Sequence, residues 1–97
     1  MPNRDVFKAL ADPTRRRILQ MLNRQPEMSA GDIAAAFNIT APSMSHHFNV
    51  LKDADLISAR RDGQQILYSL NTTVVQDLMT MLFAMFAKDE KPARRKS

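Results

Sequence analysis

The stretch from Thr40 to Leu70 restricts this chain more than any other, because it runs a helix pattern straight into a hairpin pattern. Thr40 suits the N-cap of a helix over Ala41 to Ala54, and Pro42 is tolerated in its first turn, where no partner needs its missing N–H. Met44, Phe48 and Leu51 recur at i, i+4 and i+7 and give that helix one core-facing stripe. Two extended segments follow, Leu56 to Arg61 and Gln64 to Leu70. Between them Asp62-Gly63 forms a two-residue hairpin signal, since Gly accepts positive φ and Asp tolerates it.

The rest of the chain reads as helices. Asp5 to Ala11 forms a short first helix with Val6, Phe7 and Leu10 on its apolar side. Asp12-Pro13 restarts the chain, an N-cap followed by a proline at the first helical position. The second helix runs to about Asn23, with Ile18, Leu19 and Leu22 at helical spacing and Arg15, Arg16, Arg17 and Arg24 along it. Gln25-Pro26-Glu27 breaks it. Ser29 and Asp32 make a capping-box-like pair for a third helix, striped by Ile33 and Phe37, and Asn38-Ile39 connects it tightly to the next. A last helix starts near Thr72 or Thr73 and runs to about Ala87. The expected fold is mainly α with a small β-hairpin wing, in the order α1-α2-α3-α4-β-β-α5. At 97 residues one domain is the default, here 1–87, followed by a basic tail 88–97 read as disordered.

Several function classes are disfavoured. The chain has no cysteine, which removes disulfides, thiolate metal sites and a cysteine nucleophile. No apolar run approaches the ~18 residues of a membrane span, and MPNRDVFKAL lacks the features of a secretory leader, so the cytoplasm is the expected location. No nucleophile–base pair or other catalytic constellation is legible, so no enzyme and no cofactor are expected. The net charge of +4 points toward nucleic acid only weakly, since five basic residues against two acidic ones lie from Lys88 onward.

Placement of polar groups carries more. Two short helices followed by a hairpin form a unit whose second helix lies in the major groove of DNA. Opposite the apolar stripe of that helix lie Ser45, His46 and Asn49, with Ser43 nearby, all able to bond bases or phosphates, and the first acid is Asp53. Equally, such a face suits a solvated surface helix. Arg60, Arg61 and Gln64 flank the hairpin tip, where they can reach phosphates or solubilise an edge strand. Successive strand residues face opposite ways, so Arg60 and Arg61 cannot serve alike, and the sequence does not choose between them. Arg16 and Arg17 are further phosphate candidates.

These residues resemble the ArsR/SmtB family of winged-helix repressors. ALADPTRRRILQML looks like the family's opening. TAPSMSHHFNVLKDADLISARRDGQQILYSL places Ser45, His47, Leu51, Ala54, Leu56, Arg60, Arg61, Gly63, Tyr68 and Leu70 in its pattern, and the likeness extends over about residues 5 to 87. The resemblance implies a homodimeric, autoregulatory repressor on a palindromic operator, dimerising through its first and last helices. Two departures stand out. Asp55 replaces the usual Gly that ends the recognition helix in a left-handed conformation, which Asp also reaches. The family's metal ligands are missing: the third helix has no thiol, the last helix offers only Asp77, and the adjacent His46 and His47 point about 100° apart. The likeness is therefore to the metal-independent, SdpR-like branch, with no metal site expected.

The last helix is apolar on more than one face, a surplus that asks for a second partner. The expected interface between two copies comprises Val6, Phe7 and Leu10 with Val75, Leu78, Met79, Leu82, Phe83 and Phe86. Met79, Met81 and Met85 fit either a plain core or an adaptable surface for an unidentified inducer or a sequestering protein. The competing reading of the whole chain is a winged-helix interaction module or sensor released by such a ligand or partner.

Overall fold

Side chains set the start of four helices in the computed structural model, which describes residues 5–88. Asp12 accepts from the Arg15 N–H at 3.1 Å and opens α2 (Pro13–Arg24). Ser29 accepts from Asp32 at 3.0 Å and opens α3 (Ala30–Ala34). Thr40 accepts from Ser43 at 3.2 Å and opens α4 (Ala41–Asp53). Asn71 accepts from Val74 at 3.4 Å and opens α5 (Thr72–Phe86). Each such cap satisfies an amide that has no partner within its helix and contributes about 0.5–2 kcal/mol. The other elements are α1 (Asp5–Leu10), β1 (Met28–Ser29), β2 (Ile57–Asp62) and β3 (Gln65–Leu70). Residues 89–97, nearly all of the expected tail, lie outside the described residues.

The end of α4 answers the question raised by Asp55. Its φ is 60°, alone in the left-handed region among the described non-glycine residues. The Asp55 N–H bonds to the Lys52 carbonyl at 2.9 Å and the Leu56 N–H to the Leu51 carbonyl at 3.1 Å. That pair of bonds is a Schellman motif, and buried Leu56 supplies its apolar contact. The motif turns the chain from α4 directly into β2.

Three local expectations need correction. First, the hairpin is part of a three-stranded antiparallel sheet, in the order β1-β3-β2. Met28 and Ser29 pair with Tyr68 and Leu67, so the segment before α3 is tied to the wing. Two residues are too few for an alternating pattern, and only pairing with β3 makes them a strand. Second, the hairpin turn is shifted by one residue. Asp62 pairs with Gln65, leaving Gly63 and Gln64 at the tip. Gly63 has φ 64° and Gln64 is not in the positive region, as in a type II′ turn, which needs Gly at its first central position. Third, α3 stops at Ala34. Its last bonds, Ala36 to Ile33 and Phe37 to Ala34, both 3.0 Å, span three residues and tighten the chain into a turn.

The core gathers one stripe from each helix and one face of the sheet: Val6, Ile18, Leu22, Ile33, Met44, Phe48, Leu51, Leu56, Ile57, Tyr68 and Leu78 are buried. Burying each large side chain contributes about 1.5–3 kcal/mol. Phe48 of α4 stacks on Tyr68 of β3, ring centres 4.5 Å apart and planes 23° apart, which locks the wing against α4. Burial in this contact raises the Tyr68 phenol above its usual pKa. Of α5 only Leu78 is buried. No helix among the described residues is long and apolar enough to cross a membrane.

Candidate nucleic-acid interface

The exposed face of α4 is assembled by its N-terminus. Thr40 donates its hydroxyl to the Ser43 oxygen at 3.0 Å while capping the Ser43 amide, so the Ser43 side chain is held at the helix entrance with its own proton free to donate. Ser45, His46 and Asn49 are exposed, as is Pro42, and they follow one another up the side opposite buried Met44, Phe48 and Leu51. No acid lies in the first turn. The first turns of the face therefore offer small donors and acceptors to a polyanion without like-charge repulsion, and the first acid, Asp53, comes at the far end of the helix.

The wing separates its two arginines. Ala59 pairs with Tyr68 and Arg61 with Ile66, so Arg61 lies on the face of the sheet that packs on α4. Arg60 pairs with Leu67 on the opposite face. There its guanidinium forks onto Glu27, donating Nε to one carboxylate oxygen at 2.7 Å and Nη2 to the other at 2.8 Å. The Arg60 hydrogen bonds hold the Glu27 carboxyl below the usual carboxylate range. Arg61 shares its side of the wing with α4, and Gln64 is exposed at the tip.

The arginine run of α2 has three tasks within the chain. Arg15 is 8 % exposed, donating Nε to the Ala9 carbonyl at 2.9 Å and Nη2 to the Lys8 carbonyl at 2.9 Å. Arg16 donates to the Leu10 carbonyl at 2.8 Å. Together they satisfy carbonyls at the C-terminal end of α1, where cations are also favoured by the helix dipole. Arg17 lies over the Phe37 ring at 5.4 Å from its centre. Arg16 and Arg17 remain exposed, but each is already held within the chain.

His47 belongs to this inner arrangement. Its Nδ1 is 3.1 Å from Arg15 Nη1 and 3.8 Å from Asp12 Oδ2. Burial pushes its pKa down, Asp12 opposes this, and the charges of Arg15 and His46 add to the lowering. For Asp12, burial pushes the carboxyl up, but the Arg15 amide and the charges of His47 and Arg15 outweigh it and hold it below the usual range.

The expected interface residues split. Val6 and Leu78 lie in the chain's own core, and Leu10, Val75 and Leu82 are half-buried against it. Phe7, Met79, Phe83 and Phe86 are 51 %, 49 %, 71 % and 77 % exposed. Sequence reasoning missed Arg15 and Glu27. A triple arginine shows charge but not partners, and Glu27 sat in a segment read as a break.

A helix-turn-helix domain family matches residues 10–59, α2 through the start of β2. The transcriptional repressor SdpR of Bacillus subtilis is 54 % identical over 86 residues, covering 89 % of this chain and 94 % of that protein. The chain belongs to the ArsR/SmtB family of winged-helix repressors. A transcriptional repressor SmtB homologue of Synechocystis is 38 % identical over 74 residues, 76 % of this chain and 55 % of that protein. The crystal structure of an ArsR-family transcriptional regulator superposes with a TM-score of 0.71 at 26 % identity, covering 88 % of this chain and 90 % of that one. This ArsR-type protein is thus a DNA-binding transcriptional repressor of the SdpR-like type, and its relatives are regulators rather than enzymes.

Proposed function

We propose that this repressor binds a palindromic operator as a homodimer, with the two α4 helices in successive major grooves about 34 Å apart. The observation that carries the reading is the exposed face of α4, free of acids until Asp53 at its C-terminal end, beside Arg61 on the same side of the wing. Ser43, Ser45, His46 and Asn49 read base edges and adjacent phosphates, while Arg61 and Gln64 hold the wing on the backbone. Arg60, forked onto Glu27, takes a secondary part, as do Arg16 and Arg17. The dimer rests on Phe7, Met79, Phe83 and Phe86, large apolar side chains exposed on α1 and α5, where a second copy would cover them. Autoregulation without a metal is what the family resemblance implies, and the cysteine-free sequence supports the second part. His46 and His47 are adjacent, and no three His, Asp or Glu side chains come together among the described residues. In this reading residues 1–87 form the working domain and 88–97 a solubilising basic end.

The test is fluorescence anisotropy against the chain's own upstream DNA, a duplex the protein enriches from a random pool, and a random duplex, at two salt concentrations and with a chelator. We expect chelator-indifferent preference for the first two. Asn49→Ala should relax that preference, and Arg61→Ala should weaken binding to all duplexes while reducing the salt slope by about one. Equal weak binding to every duplex, or loss on chelation, would overturn the proposal.

A further inference from the structure

The buried Arg15 guanidinium joins three elements at once. Nε and Nη2 hold the Ala9 and Lys8 carbonyls at the end of α1, and Nη1 reaches His47 on α4. A guanidinium only donates, so His47 Nδ1 must accept, which requires a neutral ring carrying its proton on Nε2. We propose that Arg15 is a positioning residue for DNA binding: through neutral His47 it fastens α4 to the C-terminal end of α1, so that protonation of His47 lowers affinity for specific DNA.

The chemistry of the contact gives the direction. A proton on Nδ1 removes the acceptor and sets two cations 3.1 Å apart. The carboxylate of Asp12, 3.8 Å from the same nitrogen, is then the available acceptor, so the ring changes partner from α2 to the α1–α2 link. The charged groups facing the ring are Asp12 from that link, Arg15 from α2 and His46 from α4 itself. The Ala9 and Lys8 carbonyls of α1 are held by Arg15. Burial favours the neutral ring, so the hold is intact above the ordinary histidine range and is lost as pH falls below it. His46 lies next in sequence and is exposed, and its ring, 5.8 Å from that of His47, adds to the lowering of the His47 pKa. The consequence reaches further because α1 carries Phe7 of the proposed dimer face: Arg15 sets the angle between that face and the recognition helix.

The inference rests on α4 being the helix that reads DNA, and Asn49→Ala, outside the Arg15–His47–Asp12 group, reports on that reading separately. The experiment measures anisotropy on the pool-enriched duplex and on a random duplex between about pH 8 and pH 5.5, across the histidine range. For the wild type, the preference for the enriched duplex should fall several-fold on acidification. His47→Gln keeps an acceptor for Arg15 that does not titrate, and its preference should be nearly flat. Arg15→Lys, which cannot fork between two carbonyls and a ring, should bind on the order of tenfold weaker at pH 8 while sedimenting and melting as a folded protein. If Arg15→Lys does not fold, the His47→Gln profile decides alone. Parallel pH profiles for wild type and His47→Gln, or a folded Arg15→Lys with wild-type affinity, would overturn the clamp. An Asn49→Ala protein with unchanged preference would overturn the reading of α4 and the clamp with it.

Discussion

Asp55 holds a backbone conformation that most side chains resist, and it does so where α4 hands over to β2. Asp55→Gly removes the side-chain penalty at φ 60° and should raise or maintain stability, whereas Asp55→Val should cost about 1–2 kcal/mol. Urea denaturation of the two variants measures this. Asp12 makes a second prediction at this scale. Its carboxyl is held below the usual range in the fold, so its contribution is complete above its unfolded pKa and disappears as pH falls through the lower, folded value. The wild type should therefore lose urea resistance below about pH 4. Asp12→Asn keeps a capping oxygen without the titrating charge and should lose less over the same range. An identical acid profile for the two proteins would contradict the assignment.

Among the elements, the wing is joined to the body from both sides. Tyr68 stacks on Phe48 at its inner face, and Arg60 reaches Glu27 beside β1 at its outer face. The ion pair is exposed, so its interest lies in availability rather than stability. Glu27→Gln removes a negative charge near the wing and releases Arg60. Binding to every duplex should tighten at low salt, and the salt slope should steepen by up to about one. Anisotropy titrations over a salt series check this, and a slope equal to wild type would mean that Arg60 lies out of reach of phosphate. The same element view explains the α2 arginines: a run that looks like a phosphate comb mainly closes the end of α1 and covers Phe37.

For the whole molecule, the exposed aromatics of α1 and α5 matter most. Phe83 is 71 % exposed and lies outside the core, so Phe83→Glu should leave the fold intact while opposing association. Sedimentation should show monomers at concentrations where the proposed wild-type dimer forms, and affinity for the enriched duplex should fall by at least about tenfold, since one α4 cannot span two half-sites. Unchanged sedimentation would place the dimer surface elsewhere.

The sequence by itself determined the helix order, the hairpin, the caps at Asp12, Ser29 and Thr40, and the outward face of α4, because caps, turns and periodic stripes act over a few residues. The family resemblance, through its usual Gly, pointed to Asp55 as a place where the chain turns left-handed, as its φ of 60° bears out. Tertiary structure alone decided the rest. β1 exists only because β3 pairs with it, and the hairpin register depends on Gly63 taking the first position of the turn. Arg15 and His47 are 32 residues apart, and Glu27 and Arg60 are 33. Contacts at such separations are set by how the elements pack, and no local pattern in the chain records them.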